Sequence, residues 1–334
     1  MGKKIIFIGV IMGLLMFSGC LSSQEENTAR ERNEGRPRAG ISFQLSSSLN
    51  EGLIDRTLLL ETPQDEIVLT VRGSSNSNIP VMLKLFYNYE EIPFLVDNVE
   101  TYVTQFLFEL PYDEREINIT IRMSSELEAA ETVSALTIGV FPHPDYLSKN
   151  DDHFSISNNL GGVLNFRVSY GDEESLVLRV PYQEFPRQIE NMLNRGVRIN
   201  QDSAEFTIAY AEGGVFTMHP NPLQVAPDEV VYFYFYVNLQ MSDQIVPIQN
   251  YLILSMLGWQ QIEKDGLPYL LFEARSEDMV NDVKDHGRFS VTMPSEPGFY
   301  EFVTFIVPDP THFNEYLMRY PLEFSFPFTV EVVE

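Results

Sequence analysis

One cysteine in 334 residues excludes a disulfide framework and any zinc site built from several thiolates. Basic side chains are scarce: 22 Lys and Arg stand against 48 Asp and Glu, a formal charge of −26. Such an acidic chain repels phosphate backbones, which excludes nucleic acid as its partner. Long apolar runs are missing too. The run from Ile5 to Phe17 has 13 residues, broken only by Gly9 and Gly13. A membrane-spanning helix needs about 20. There is no G-x-S-x-G, P-loop, G-x-G-x-x-G or H-E-x-x-H motif, so the chain reads as non-enzymatic, with no catalytic residue, metal or cofactor assigned. What is present is 44% apolar and 12% aromatic residues, enough for packed cores and excluding wholesale disorder. The length suggests about two domains.

The N-terminus combines Lys3 and Lys4, the Ile5–Phe17 run, then Ser18, Gly19 and Cys20. A basic start and a short apolar core describe a secretory signal peptide over residues 1–19. Phe17-Ser18-Gly19-Cys20 resembles the lipobox of prokaryotic membrane lipoproteins, although an aliphatic residue is usual where Phe17 stands. The resemblance implies diacylglyceryl modification of the Cys20 thiol, cleavage before it, and anchoring on the extracytoplasmic face of the cell membrane or outer membrane. Leu21, which is not Asp, is compatible with outer-membrane sorting. Residues 20–40 have almost no apolar side chains to bury and read as a disordered tether. As a flexible coil it would span on the order of 25 Å.

From Ile41 onward the pattern is strand. Runs such as Ile67–Val71, Val81–Tyr87, Tyr102–Leu110, Ile117–Met123, Val163–Tyr170, Leu176–Val180, Val230–Leu239, Tyr251–Leu257 and Phe299–Val307 are apolar, β-branched or aromatic. Gly, Pro, Asn, Asp and Ser separate them, and several alternate with period two. The expected fold class is all-β, with two β-sandwich units over 41–150 and 215–334 and a β-rich segment, 151–214, between them. A repeat supports two units. Pro63–Val68 pairs with Pro227–Val231, Ile92–Leu95 with Leu267–Leu270, and Phe106–Pro111 with Phe289–Pro294. The approach Glu296-Pro297-Gly298 into Phe299-Tyr300-Glu301-Phe302 resembles immunoglobulin-like domains of bacterial and archaeal surface proteins. Short helices are expected in connections: near Ser125–Ala130 from capping-box spacing, over Pro186–Arg195, and after Asp309 with Phe313, Tyr316 and Leu317 on one face.

Candidate functional residues are few. In Val231–Val237 alternation puts Val231, Phe233, Phe235 and Val237 toward a core and Tyr232, Tyr234 and Tyr236 on the opposite face. Those tyrosines form the candidate binding face for an extended peptide or short glycan, with burial under another element as the alternative. Two acidic groups, Asp145, Asp151, Asp152 with His153, and Glu277, Asp278, Asp282, Asp285 with His286, could hold a cation, but both read better as solvated acidic loops; Asp282 and His286 would share a face if helical. His143-Pro144-Asp145 matches the tripeptide of J-domain co-chaperones and reads here as an X-Pro turn closing the first sandwich. The expected function is that of a lipid-anchored surface protein with a binding or assembly role toward a protein or glycan. The alternatives are a spacer subunit of an envelope or secretion complex, and a hydrolase with an unrecognised site.

Overall fold

The computed structural model describes residues 40–47, 57–74, 78–97, 99–111, 116–124, 126–127, 133–145, 162–170, 182–183, 205–212, 215–217, 222–238, 250–273, 284–308, 310, 323–324 and 328–334. Among them there are strands and turns and no helix. The three expected helices fall outside the described residues, apart from Glu126, Leu127 and Pro310, none of which is helical. The expected strand over Leu176–Val180 also lies outside them. Residues Pro37–Glu334 belong to one compact unit.

The first sandwich begins with β1 (Gly40–Ser47), β2 (Thr57–Leu59), β3 (Ile67–Ser74), β4 (Ile79–Tyr87) and β5 (Glu90–Glu91). It continues with β6 (Phe94–Val96), β7 (Phe106–Leu110), β8 (Glu116–Met123), β9 (Ser134–Pro142) and β10 (Gly162–Ser169). One sheet has the order β1-β3-β8-β6; the other is β2-β10-β9-β4-β5, with β7 also on β4. The chain starts on one sheet at β1 and crosses to pair β2 parallel to β10 on the other. That switch, with all other pairings antiparallel, is the immunoglobulin-like arrangement.

The second sandwich repeats that switch and carries one further parallel pair. Its strands are β11 (Tyr182–Gln183), β12 (Glu205–Glu212), β13 (Val215–Thr217), β14 (Leu223–Val225), β15 (Val230–Asn238) and β16 (Asn250–Leu257). Then come β17 (Gln260–Gln261), β18 (Tyr269–Glu273), β19 (Lys284–Thr292), β20 (Gly298–Pro308), β21 (Glu323–Phe324) and β22 (Phe328–Val332). One sheet is β13-β12-β15-β19; the other is β11-β18-β16-β20-β22-β14, with β14 parallel to β22. The segment expected between the sandwiches thus gives β10 to the first and β11 and β12 to the second.

The strand order corrects the sequence repeat. Pro63 and Pro227 do open equivalent strands, β3 and β15. In each, an acid closes the preceding turn: Asp65 Oδ2 accepts from Thr62 N at 3.2 Å, and Glu229 Oε2 from Ala226 N at 2.8 Å. The other two matches shift by a strand. β7 lies on β4 as β18 lies on β16, so Phe106-Leu107-Phe108-Glu109 corresponds to Leu270-Leu271-Phe272-Glu273. β8 lies on β3 as β19 lies on β15, so Phe289–Met293 corresponds to Ile119–Met123.

Three apolar layers result. Leu69, Leu83, Phe94, Ile121 and Ile138 belong to the core of the first sandwich. Phe233, Ile253, Phe289, Phe302 and Val330 belong to that of the second. The third layer lies between them: Met82, Phe86 and Phe141 of the first unit meet Leu254, Met256, Tyr269 and Phe305 of the second. The central strands β4, β9, β16 and β20 are therefore buried on both faces, which is why they read as almost continuous apolar runs rather than strict alternations. Gly139 belongs to this layer's packing: a Cβ there would clash with the Phe141 ring, and that ring lies against Trp259 and Phe305.

Candidate functional site

β15 pairs with β19 along its whole length and with β12 over Phe233–Asn238. Val231 and Phe233 point into the second core, where the Phe233 ring stacks on Phe302 at 4.7 Å between centroids and lies 5.9 Å from Phe289. Tyr232, between them, turns outward and is 49% exposed, beside Val230 at 50%. A half-exposed tyrosine on a sheet whose other face is core presents an aromatic ring for contact. Tyr234 stands opposite Ala209 and Arg288, and Tyr236 opposite Thr207 and His286. The side chains of Tyr234 and Tyr236 lie outside the described residues.

The rim beside Tyr232 is built by the loop that carries Lys264, Asp265 and Gly266, for which the sequence holds no motif. Tyr232 stands opposite Ser290, and Ser290 is held by Asp265: its Oγ donates to Asp265 Oδ1 at 2.5 Å and its backbone N–H to the same oxygen at 3.2 Å. Asp265 and Gly266 have φ of 51° and 79°, the left-handed region suited to Asp and Gly at a tight turn. Beneath them Lys264 is fully buried. Its ammonium donates to the carbonyls of Ile262 and Pro268, both at 3.2 Å. Burial pulls its pKa down to about 7, against a smaller opposing pull from the Asp265 carboxylate.

A second polar cluster lies where the sandwiches meet. Two hairpins, each turning through φ > 0 at both central residues, face one another: Asn88-Tyr89 leads into β5 and Gly258-Trp259 into β17. That geometry is the two-residue turn matched to strand twist. Glu91 N–H donates to Gln261 Oε1 at 2.5 Å, and Gln261 N–H returns a bond to Glu91 Oε2 at 2.8 Å. Each aromatic reaches the far unit. Tyr89 Oη donates to the carbonyl of Pro310 at 2.9 Å, and Trp259 Nε1 to that of Pro144 at 2.7 Å. Those prolines follow the ends of β20 and β9, so His143-Pro144-Asp145 is a turn whose carbonyl receives the tryptophan. Lys84, fully buried, pairs with Glu91 at 2.6 Å and donates to the Trp259 carbonyl; burial lowers its pKa and Glu91 counters that. The arrangement is reciprocal and closed, a lock rather than a ligand site.

Cys20 lies outside the described residues, as do Asp151, Asp152, His153, Glu277, Asp278 and Asp282. Asp145 is exposed in its turn. Asp285 and His286 sit in β19, not in a helix, so the i, i+4 ligand geometry expected of a helix does not arise at His286. Among the described residues no group of three or more potential metal ligands occurs.

No family model matches the chain, and no curated protein does. Solved structures similar to it include the Escherichia coli chaperone DraB, 12% identical over 88% of this chain and 97% of that one, with a TM-score of 0.24. The C-terminal domain of the Streptococcus agalactiae antigen I/II polypeptide BspA is 6% identical over 88% of this chain and 100% of that domain, at 0.25. The CARDB domain of PF1109 from Pyrococcus furiosus is 11% identical and covers 40% of this chain and 97% of that one, at 0.22.

Proposed function

We propose that this protein is a lipoprotein, anchored through Cys20 on the extracytoplasmic face of the cell membrane or outer membrane, with a non-catalytic binding or assembly role. The observation that carries the binding role is Tyr232, an aromatic held outward between two residues fixed in the core. The lipobox and the charge-rich tether support the anchor; two or more acyl chains give stable attachment where one gives marginal binding. The alternative of a spacer subunit in an envelope or secretion assembly draws support from the buried layer between the sandwiches, which fixes one unit against the other. Membrane fractionation tests the anchor. Cys20→Ser is expected to release the protein or leave it unprocessed; unchanged retention at unchanged mass rejects anchoring. A pull-down of the intact protein from its own membranes, with Tyr232→Ala as the control, tests the binding face: partners retained equally by both forms place binding elsewhere.

A further inference from the structure

The internal repeat exposes a strand position that is filled in one unit and, among the described strands, open in the other. In the second sandwich β18 is flanked on one side by β16 and on the other by β11, which runs parallel to it with Tyr182 opposite Leu271 and Gln183 opposite Phe272. In the first sandwich the equivalent strand, β7, pairs with β4 alone among the described strands. The side chains differ for a separate reason: Leu270 and Phe272 lie in the second core and Leu271 in the layer between the sandwiches. Leu270, Leu271 and Phe272 of β18 are buried, Leu271 to 1% exposure. Their counterparts on β7 are less covered: Phe106 and Phe108 are half-buried and Leu107 is 59% exposed. An apolar strand with an open edge is a template for another strand.

The polarity of that edge follows from the ladder. The Pro80 carbonyl accepts from His143 N at 2.8 Å, so Pro80 turns its backbone toward the β9 side. Backbone groups alternate along a strand, so Ile79, Val81 and Leu83 turn toward β7, where they stand opposite Leu110, Phe108 and Phe106. The outward groups of β7 are then those of Leu107 and Glu109. These match Leu271 and Glu273 of β18, and Leu271 is a residue that β11 flanks.

We propose that the outer edge of β7 accepts an extended peptide segment of another protein, added parallel to β7 as β11 is to β18, with an apolar or aromatic residue opposite Leu107. A second copy of this chain fits less well: two β7 strands related by a twofold axis normal to the sheet would pair antiparallel, against the parallel precedent in the same molecule. The inference deepens the binding role proposed above and names its partner class, but it needs neither the anchor nor the tyrosine face. Cys20→Ser and Tyr232→Ala leave it unaffected, so its failure and theirs are separable.

The probe is a synthetic peptide with the sequence of residues 176–185, which contains β11, added to the full chain. Expected are saturable binding and slowed amide exchange at Leu107 and Glu109. Leu107→Pro removes an outward N–H without touching the bonds of Phe106 and Phe108 to β4, a position where edge strands tolerate proline. It is expected to weaken binding at least tenfold with an unchanged unfolding midpoint. Leu107→Lys, which keeps the N–H, gives a second reading if the proline variant unfolds; it places a charge on the edge and is expected to weaken binding in the same direction. Protection confined to the β18 edge, or equal binding by both variants, overturns the proposal. So does concentration-dependent self-association that Leu107→Pro abolishes, because it would assign the edge to a second copy.

Discussion

Lys264 sits in Glu263-Lys264-Asp265-Gly266, a stretch whose composition reads as a solvated turn, yet its side chain is buried against two backbone carbonyls. Nothing local in the sequence signals this. The burial arises because the loop folds back onto β19 through Asp265 and Ser290, a contact 25 residues away. The consequence is a pH dependence with a definite sign. A lysine near 7 when folded and at its ordinary value of 10.5 when unfolded binds more protons in the unfolded chain between those two pH values. Stability therefore rises as pH climbs from about 7 to about 10.5, and the full cost of the buried charge is present below 7. Lys264→Met is expected to flatten that rise. Urea titrations of both proteins from pH 6 to 10 check it, the difference changing by at most about 1.4 kcal/mol per pH unit. Parallel curves for the two proteins would show that the ammonium is solvated.

At the scale of the element, the paired hairpins explain one another's chemistry. Gln261 supplies both an acceptor and a donor: Oε1 takes the Glu91 N–H, and Nε2 gives to the Tyr89 carbonyl at 2.9 Å. Glu91, its counterpart, accepts from Gln261 N–H but has no donor for the Trp259 carbonyl, and Lys84 supplies it. At the position matching Lys84 the second sandwich has Leu254. The Lys84–Glu91 pair thus does the work of one glutamine. Glu91→Gln alone leaves a buried ammonium without its carboxylate and is expected to cost about 3–5 kcal/mol. Adding Lys84→Leu removes the charge and lets the new amide donate to Trp259, so the double variant should recover most of that loss. Chemical denaturation of the three proteins decides it; additive losses would reject the exchange. The sequence carried part of this. The apolar runs of β4 and β16 announced strands, and their lack of alternation around Lys84 and Ser255 was the sign of a second buried face. Of the three matches in the repeat, the one that ends on Pro111 and Pro294 sets β7 against β19, although the two strands hold different places in their sheets. The better signal was Phe-Leu-Phe-Glu against Leu-Leu-Phe-Glu. Tyr232 was legible because a strand buried on one face alternates cleanly, Val231 in, Tyr232 out, Phe233 in.

Over the whole molecule, the buried layer between the sandwiches is expected to make them unfold as one body. Its apolar residues would meet water if the units parted, at about 25 cal/mol for each Å² exposed. Tyr89 and Trp259 add direction, each tying a hairpin of one unit to the chain just past a long strand of the other. Tyr89 is fully buried, and burial pushes its phenol well above the ordinary value, so it donates as the neutral group; Asn165 Nδ2 gives it a bond at 2.9 Å, and Thr137 holds Asn165 in turn. Trp259 is the single tryptophan of the chain and lies in this layer, so its fluorescence reports separation of the units, whereas far-ultraviolet circular dichroism reports loss of strand. The two signals are expected to change at the same urea concentration in the native protein, as in a single cooperative transition. Tyr89→Phe leaves the Pro310 carbonyl and the Asn165 amide without their partner and should lower stability by about 1–3 kcal/mol, with both signals moving together. Fluorescence changing well before circular dichroism, in either protein, would mean that the sandwiches separate while still folded and that the layer between them does not couple their unfolding.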